Sequence, residues 1–252
     1  MNILLTTILG CIVTATQAQL PKADIIPTSK GNVTIHPVFH ASLVLEFNNV
    51  AIYVDPIHGA DAYKDLKKPD LILITHIHGD HFDMKTLNGL DLSHATFVVP
   101  QSVADKMPPE WKNKIVVLHN GGSTVQHGIP IKAIAMYNMP RDSTVHHPKG
   151  NGNGYVLNLG GKRFYISGDT EATPEMRSLK DIDVAFVCMN LPYTMSVEEA
   201  ASGVLAFKPK IVYPYHYRTP NGFSDVEKFK SLVNAGDPSI DVRLRNWYPD
   251  IK

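Results

Sequence analysis

The sequence predicts a layered α/β fold in which two similar halves each contribute strands to a sheet and the helices lie outside. One observation is the apolar run from Leu71 to Ile74, which is typical of a strand covered on both faces. Another is a strand–turn–strand pattern that occurs twice. The chain has 252 residues, and we expect one domain over residues 19–252, with halves at about 31–130 and 131–250.

The repeated pattern consists of VLEFNNVAIYVDP, which begins at Val44, and VLNLGGKRFYISGD, which begins at Val156. Each segment reads as two strands joined by a two-residue turn, Asn48-Asn49 in the first and Gly160-Gly161 in the second. Asparagine and glycine tolerate the positive φ that tight hairpins require. The runs DLILITH and DVAFVCMN follow in the two halves, and this order predicts two equivalent units.

Helix signals fill the intervals between the strands. Ser196-Val197-Glu198-Glu199 is a capping box that predicts a helix running toward Phe207. Ser224-Asp225-Val226-Glu227 begins another helix, which Gly236 ends. Thr173-Pro174 predicts an N-cap followed by proline at the first helical position.

The first 18 residues are predicted to be a secretory signal peptide. Ile3 to Val13 form an apolar stretch that is too short to span a bilayer, and small residues precede a cleavage site after Ala18. This segment lacks lysine and arginine, so a buried N-terminal strand or helix is the alternative; a lipoprotein anchor on Cys11 is another. We expect export to the periplasm or secretion, which leaves Cys188 as the only cysteine and as a core residue.

Composition limits the choice of partner. The chain carries 24 basic and 24 acidic residues, so its formal net charge is zero. This balance argues against a nucleic-acid backbone or an anionic membrane surface, and a small molecule is the expected partner. The distribution of the 12 histidines is the main clue to function.

Three histidines and an aspartate follow the buried strand in the motif THIHGDH. His76 and His78 point the same way because residues two apart share a face of an extended chain. Gly79 lets the backbone turn, and Asp80 and His81 then return toward the same region. Imidazole and carboxylate groups together suit zinc and similar divalent ions, so the motif predicts a metal site.

More imidazole and acid groups stand where other strands end. Asp169 follows the strand RFYISGDT, His216 ends KIVYPYH, and His147 lies in HHPKGNGNGY just before the second hairpin. Loops at the ends of equivalent strands meet along one edge of such a fold. We therefore expect these three residues to join the THIHGDH motif.

Four of these motifs, THIHGDH, HPKG, SGDT and YPYHY, resemble the metallo-β-lactamase superfamily. The resemblance extends over roughly residues 31–250 and implies a four-layer αββα sandwich, with two mixed sheets and helices on both outer faces. VFHASLVLEFNNVAIYVDP and HPKGNGNGYVLNLGGKRFYISGDT are most similar to the branch that contains ascorbate-6-phosphate lactonase and the N-acylphosphatidylethanolamine phospholipase D-like hydrolases.

The resemblance implies two divalent ions, zinc or alternatively manganese or iron, bound by seven ligands. His76, His78 and His147 would hold one ion, Asp80, His81 and His216 the other, and Asp169 would bridge them. His146 is the rival of His147 for its position. Asp55 matches an aspartate that supports the metal loop from behind.

Such a site holds a hydroxide between its ions at neutral pH, and Asp80 would orient it and pass on a proton. We expect an exported hydrolase that cleaves an ester-type bond, in a lactone or a phosphodiester, with β-lactam hydrolysis as the alternative. A di-iron redox protein is a further alternative, although those relatives commonly carry glutamate at the position of His78. A non-catalytic metal-binding module is disfavoured because every ligand position is filled.

Substrate contacts are predicted from charges beside the ligands. Arg141, Lys149 and Arg218 could clamp a phosphate or carboxylate, or be ordinary solvated charges. Tyr193 and His40 lie in segments that border the expected site. The sequence leaves the substrate, the native metal and the oligomeric state open.

Overall fold

The computed structural model describes residues 20–140 and 145–249, so the predicted signal peptide, Cys11 and Arg141 lie outside the described residues. The first sheet contains seven strands whose spatial order follows the chain: β1 (Asp24–Thr28), β2 (Gly31–Phe39), β3 (Ser42–Phe47), β4 (Val50–Val54), β5 (Leu71–Leu73), β6 (Thr96–Val99) and β7 (Ile115–Val117). The pairs from β1 to β4 are antiparallel and those from β4 to β7 are parallel, so the sheet is mixed.

The remaining strands are β8 (Ser123–Gln126), β9 (Ile129–Met136), β10 (Gly152–Leu159), β11 (Lys162–Ile166), β12 (Val184–Cys188), β13 (Ile211–Tyr215), β14 (Arg218–Thr219), β15 (Gly222–Phe223) and β16 (Asp241–Val242). The second sheet has the order β16-β13-β12-β11-β10-β9-β8, and β14 pairs with β15 in a separate hairpin. It repeats the first sheet, with antiparallel pairs from β8 to β11 and parallel pairs from β11 to β16.

Over residues 20–140 and 145–249, five α-helices accompany the sheets: α1 (Met84–Gly89), α2 (Gln101–Ala104), α3 (Pro174–Arg177), α4 (Val197–Phe207) and α5 (Val226–Gly236). Two 3₁₀ helices cover Ala60–Tyr63 and Pro109–Lys114. None of the helices in the described part of the chain is long and apolar enough to cross a membrane.

The predicted hairpins have the same register in both halves. Val44 lies opposite Tyr53 on β3 and β4, and Val156 lies opposite Tyr165 on β10 and β11. The turn residues have positive φ in both hairpins, 47° and 65° in the first and 61° and 86° in the second. Two similar halves are therefore confirmed, and the asparagine and glycine pairs form the tight turns that the sequence predicts.

Side-chain alternation along the strands builds the layers. Leu43 and Leu45 belong to the core shared with the second sheet, whereas Val44 between them belongs to a separate core that includes Leu87 of α1 and Val103 of α2. On the second sheet, Phe207 of α4 packs against Tyr165 of β11 with ring centroids 5.8 Å apart. Helices thus cover both outer faces, and the four-layer fold is confirmed.

The sheets divide earlier in the chain than the predicted halves do. β8 and β9 already belong to the second sheet, so the change of sheet falls between Val117 and Ser123 rather than near residue 130. The reason is that β8 and β9 form an antiparallel pair joined by a tight turn, and a boundary at residue 130 would cut β9. The first sheet likewise begins at Asp24, before residue 31.

Helix caps follow the sequence signals with one difference. The side chains of Ser196 and Thr173 accept hydrogen bonds from the backbone of α4 and α3, as the motifs predict. In the second motif Asp225 caps α5, because the hydroxyl of Ser224 instead donates to the carbonyl of Met189.

Alanine at Gly160 should destabilise the fold more than alanine at Gly161. Both residues have a left-handed backbone, which costs an alanine about 1–2 kcal/mol. At Gly160 the new Cβ would also lie 2.0 Å from Oγ1 of Thr28, whereas at Gly161 it would meet only Oγ of Ser29 at 3.6 Å. Overpacking adds about 1–3 kcal/mol, so the two free energies of unfolding, measured in urea, should differ by that amount. Equal losses would contradict this packing.

Candidate metal centre

Loops from both sheets meet at the carboxyl ends of their strands and enclose a cavity of about 420 Å³. Its lining includes the side chains His40, His78, Asp80, His146, His147, Asp169, Asn190, Tyr193, Arg218, Thr219 and Pro220. His76, His81 and His216 are buried among these groups. The structure therefore brings all seven predicted ligands to one place.

The first group of ligands is His76, His78 and His147, whose ligand atoms lie within 4.8 Å of one another. Nε2 of His76 is 3.2 Å from Nδ1 of His78. Nδ1 of His147 is 3.0 Å from Oδ1 of Asn138, so this nitrogen donates to the amide oxygen and Nε2 faces the centre without a proton. The group offers three imidazole nitrogens to a single point.

The second group is Asp80, His81 and His216. Nε2 of His81 and Nε2 of His216 are 3.0 Å apart, and Nε2 of His216 is 3.6 Å from Oδ2 of Asp80. His81 and His216 are fully buried, whereas the side chain of Asp80 is 48% exposed to the cavity. Asp80 is therefore the member of this group with the most freedom to move.

Asp169 lies between the two groups. Its Oδ1 is 3.3 Å from Nε2 of both His81 and His216, and its Oδ2 is 3.5 Å from Nε2 of His147. Gly168 makes this position accessible, because it adopts a φ of 60° and a Cβ there would lie 2.6 Å from the sulfur of a methionine. The two oxygens of one buried carboxylate thus face different sets of imidazoles.

Asp55 supports the metal loop, at the place where the sequence predicts it. Its Oδ1 accepts from the Thr75 amide at 2.7 Å, and its Oδ2 accepts from the Thr75 hydroxyl at 2.7 Å and from Nδ1 of His81 at 2.8 Å. The Thr75 oxygen in turn lies 3.0 Å from Nδ1 of His76. These bonds leave Nε2 of both histidines free to face the centre. Asp83, two residues after the motif, caps α1.

The charges at the centre balance one another. Burial alone would raise the pKa of Asp169, but His216 and His81 outweigh it and hold that pKa well below its usual value. Burial would lower the pKa of His81, yet Asp169 and Asp55 raise it well above the usual range. Burial lowers the pKa of His147 to about 4 and leaves it a neutral donor.

The donor set fits a divalent metal. Nε2 of His147 and Oδ1 of Asp169 are buried and have no hydrogen-bond partner in the described residues. Buried polar atoms are rarely left this way, and both point into a cluster of imidazole and carboxylate groups that suits zinc or a similar ion. That the seven residues bind metal stays a prediction, and the geometry is compatible with it.

His146, His147, Tyr193 and Arg218 all line the cavity, but the two histidines have different neighbours. His147 faces Asp169, whereas His146 is exposed and its ring packs 5.0 Å from that of Tyr193. Tyr193 and Arg218 line the cavity as predicted, and their binding roles stay predictions.

Lys149 does not line this cavity. Its ammonium group pairs with the carboxylate of Glu175 and lies 4.7 Å from the centre of the Tyr137 ring. Lys149 is therefore not positioned to bind the substrate, because its ammonium group forms an ion pair with Glu175 instead.

Sequence reasoning missed two kinds of residue at the centre. Asn138, which orients His147, has no motif that distinguishes it from any loop asparagine. His40 is identified from the sequence only as a neighbour, but its Nε2 lies 3.1 Å from Oδ2 of Asp80 and its Nδ1 lies 2.7 Å from the hydroxyl of Tyr248. The second contact spans most of the chain, so no local pattern could reveal it.

Comparisons with known proteins agree with this fold. A family model described as "Beta-lactamase superfamily domain" matches residues 34–216. A UPF0173 metal-dependent hydrolase of Pyrococcus abyssi is 33% identical over 217 residues, which cover 82% of this chain and 93% of the relative.

Two solved structures are similar over most of the chain. The first, a candidate metal-dependent hydrolase from Parabacteroides distasonis, has a TM-score of 0.79 at 39% identity and covers 89% of this chain and 98% of its own. The second, the metallo hydrolase Igni18 from Ignicoccus hospitalis, has a TM-score of 0.70 at 24% identity, over 84% of this chain and 94% of its own. The similarity to Igni18 shows a shared fold.

Asparagine at Asp55 should weaken metal binding by about 10- to 100-fold, because His81 loses the carboxylate that orients it. A zinc titration against a competing chelator measures this. Asp183→Asn is the matched control: Asp183 accepts from the backbone of Arg163 and pairs with Lys210, away from the centre. The control should lose stability but bind zinc as the unaltered protein does. An Asp55→Asn protein with unchanged affinity would contradict the supporting role.

Proposed function

Because the chain belongs to the metallo-β-lactamase superfamily, we propose that it is a metal-dependent hydrolase that acts on a small-molecule substrate with two divalent ions. One observation carries the proposal: the two oxygens of Asp169 face two separate groups of imidazole nitrogens at 3.3 and 3.5 Å. The relative from Pyrococcus abyssi, which is named a metal-dependent hydrolase, supports the reaction class.

The ligands divide as the distances suggest. His76, His78 and His147 would hold the first ion. Asp80, His81 and His216 would hold the second, and Asp169, whose oxygens lie 3.3 to 3.5 Å from imidazoles of both groups, would be shared. Zinc is the favoured metal because imidazole nitrogen and carboxylate oxygen are its ordinary ligands. Manganese or iron would use the same donors, and their binding is an outcome that metal analysis distinguishes.

A pair of ions bound at this position would supply a water of lowered pKa and a Lewis acid for the attacked carbonyl or phosphoryl group. The side chains then have separate tasks. Asp80 borders the cavity, and its neighbours His216 and His40 overcome the effect of burial and hold its pKa below the usual value. It is therefore an anion that can accept a hydrogen bond from the nucleophile and orient it. Fully buried His81 and His216 exclude bulk water from the far side.

The substrate is an ester-type compound with an anionic group, a lactone or a phosphodiester, with a β-lactam as the alternative. Arg218 supports this choice, since it lines the cavity and its guanidinium has neither an acceptor nor an ion-pair partner among the described residues. A guanidinium in this state can bind a carboxylate or phosphate in a bidentate manner. Tyr193, which also lines the cavity and is 39% exposed, offers an aromatic surface to the rest of the substrate.

Export of the mature chain is part of the proposal. It rests on the apolar stretch from Ile3 to Val13 and the small residues before Ala18. Met1 at the N-terminus of the purified mature protein would contradict cleavage.

Asparagine at Asp169 should abolish both hydrolysis and retention of the ions. Losing the shared carboxylate removes a ligand from each ion, and several kcal/mol of transition-state stabilisation correspond to at least about a hundredfold in rate. The zinc-loaded mature protein is screened against lactones, phosphodiesters and β-lactams, and its zinc content is measured in parallel. Asp183→Asn, away from the centre, should keep the activity. Full turnover by the Asp169→Asn protein, or by protein stripped with a chelator, would overturn the proposal.

Alanine at Arg218 should raise KM for an anionic substrate by about 10- to 100-fold with little change in kcat, since hydrogen bonds to charged groups contribute about 1.5–3 kcal/mol. Lysine there should recover part of the loss. Lys149→Ala is the control, because that ammonium group is paired with Glu175 outside the cavity. Steady-state kinetics on the best substrate of the screen measures all three. An unchanged KM in the Arg218→Ala protein would exclude the clamp.

A further inference from the structure

His40 is a buried histidine at the centre that is not among the seven predicted ligands, although its ligand atom lies within 4.8 Å of those of Asp80 and His216. It occupies the turn between β2 and β3 with a left-handed φ of 57°. Its amide donates to the carbonyl of Trp247 at 3.0 Å, and its own carbonyl accepts from the amide of His216 at 3.1 Å. The backbone of His40 is therefore fixed between the C-terminal segment and the end of β13.

A hydrogen-bond chain fixes the direction of its ring. The amide of Arg218 donates to the hydroxyl oxygen of Tyr248 at 3.0 Å. Tyr248, which is buried, then has Nδ1 of His40 at 2.7 Å as the acceptor for its own proton. A neutral ring that accepts at Nδ1 carries its proton at Nε2, and this nitrogen lies 3.1 Å from Oδ2 of Asp80.

This arrangement makes His40 a donor rather than a metal ligand. A protonated imidazole nitrogen has no lone pair to offer a cation, even though the rings of His40 and His216 are only 3.8 Å apart. Asp80 needs such a partner more than the other ligands of its group do. Its side chain is 48% exposed, whereas those of His81 and His216 are fully buried and held by packing.

We propose that His40 is a positioning residue that holds Asp80 in the orientation required by the second ion, and that Tyr248 selects its donor tautomer. The inference rests on the proposed two-ion function. His40 and Tyr248, which lie far apart in the sequence, would together orient the Asp80 carboxylate before the metal binds. The Tyr248 hydroxyl also accepts from the amide of Arg218 at the start of β14, so the strand that carries Arg218 is linked to Asp80 through Tyr248 and His40.

Two substitutions of His40 separate a donor from a ligand and from a merely structural residue. In His40→Gln the amide nitrogen can take the place of Nε2 and still donate to Asp80. In His40→Asn it is too short, although asparagine tolerates the left-handed backbone well. Tyr248→Phe keeps the ring and removes only the hydroxyl that fixes the tautomer.

Zinc titration by calorimetry, with a competing chelator, gives the number and affinity of bound ions. The unaltered protein should bind two. His40→Asn should bind the first as before and the second about 10- to 100-fold more weakly, His40→Gln should stay within a few-fold of the unaltered protein, and Tyr248→Phe should fall between them. The unchanged first affinity shows that each variant is folded.

Kinetics and cobalt(II) spectra complete the test. His40→Asn should lower kcat with KM little changed, and the cobalt spectrum of His40→Gln should match that of the unaltered protein because no ligand is lost. Equal second-ion affinity in His40→Asn and the unaltered protein, or an equal loss in the Gln and Asn variants, would overturn the positioning role alone. An unaltered protein that binds fewer than two ions would overturn this inference together with the proposed function.

Discussion

The buried carboxylate of Asp169 is the constraint on which the centre depends. It is 3% exposed, and an uncompensated anion at such a position would cost several kcal/mol. The compensation comes from His81, which follows a strand of the first sheet, and from His216, which follows a strand of the second. The candidate metal centre is therefore also a place where residues of the two sheets contact each other.

The two halves repeat one another even in single hydrogen bonds. The positions at which their residues differ determine where the metal ligands lie. The amide of Thr75 donates to Asp55 at 2.7 Å, and at the equivalent place the amide of Cys188 donates to the hydroxyl of Ser167 at 3.2 Å. The Ser167 hydroxyl also donates to the carbonyl of Gly168, whereas Asp55 binds the ligand His81. The second half supplies its aspartate, Asp169, two residues further along, where the turn carries it into the centre.

Much of the fold could be predicted because its signals are local. A two-residue turn can be recognised from its glycines or asparagines. The start of α4 can be recognised from Ser196, which lies three residues before the amide that it caps. The ligand cluster could be predicted because strand ends meet at one edge. Contacts that depend on a distant or ordinary partner could not: Asn138 beside His147 and Glu175 beside Lys149 follow from loop geometry that no spacing encodes.

Before metal binding, the buried ligands of the centre are oriented by more hydrogen bonds than the ligands that face the cavity. His81 and His147 each donate from Nδ1 to a fixed oxygen, so their rings are set from behind and little rotamer freedom remains to be lost. His78 and Asp80 face the cavity instead. Within the described part of the chain, and apart from neighbouring ligands, only Asp80 of these two has a hydrogen-bond partner, which is His40. On the proposed assignment each ion thus has buried ligands that fix its place and one cavity-facing ligand that can yield. Adjustment to a substrate is then concentrated on the side from which the substrate enters, and the buried side keeps the two ions in register.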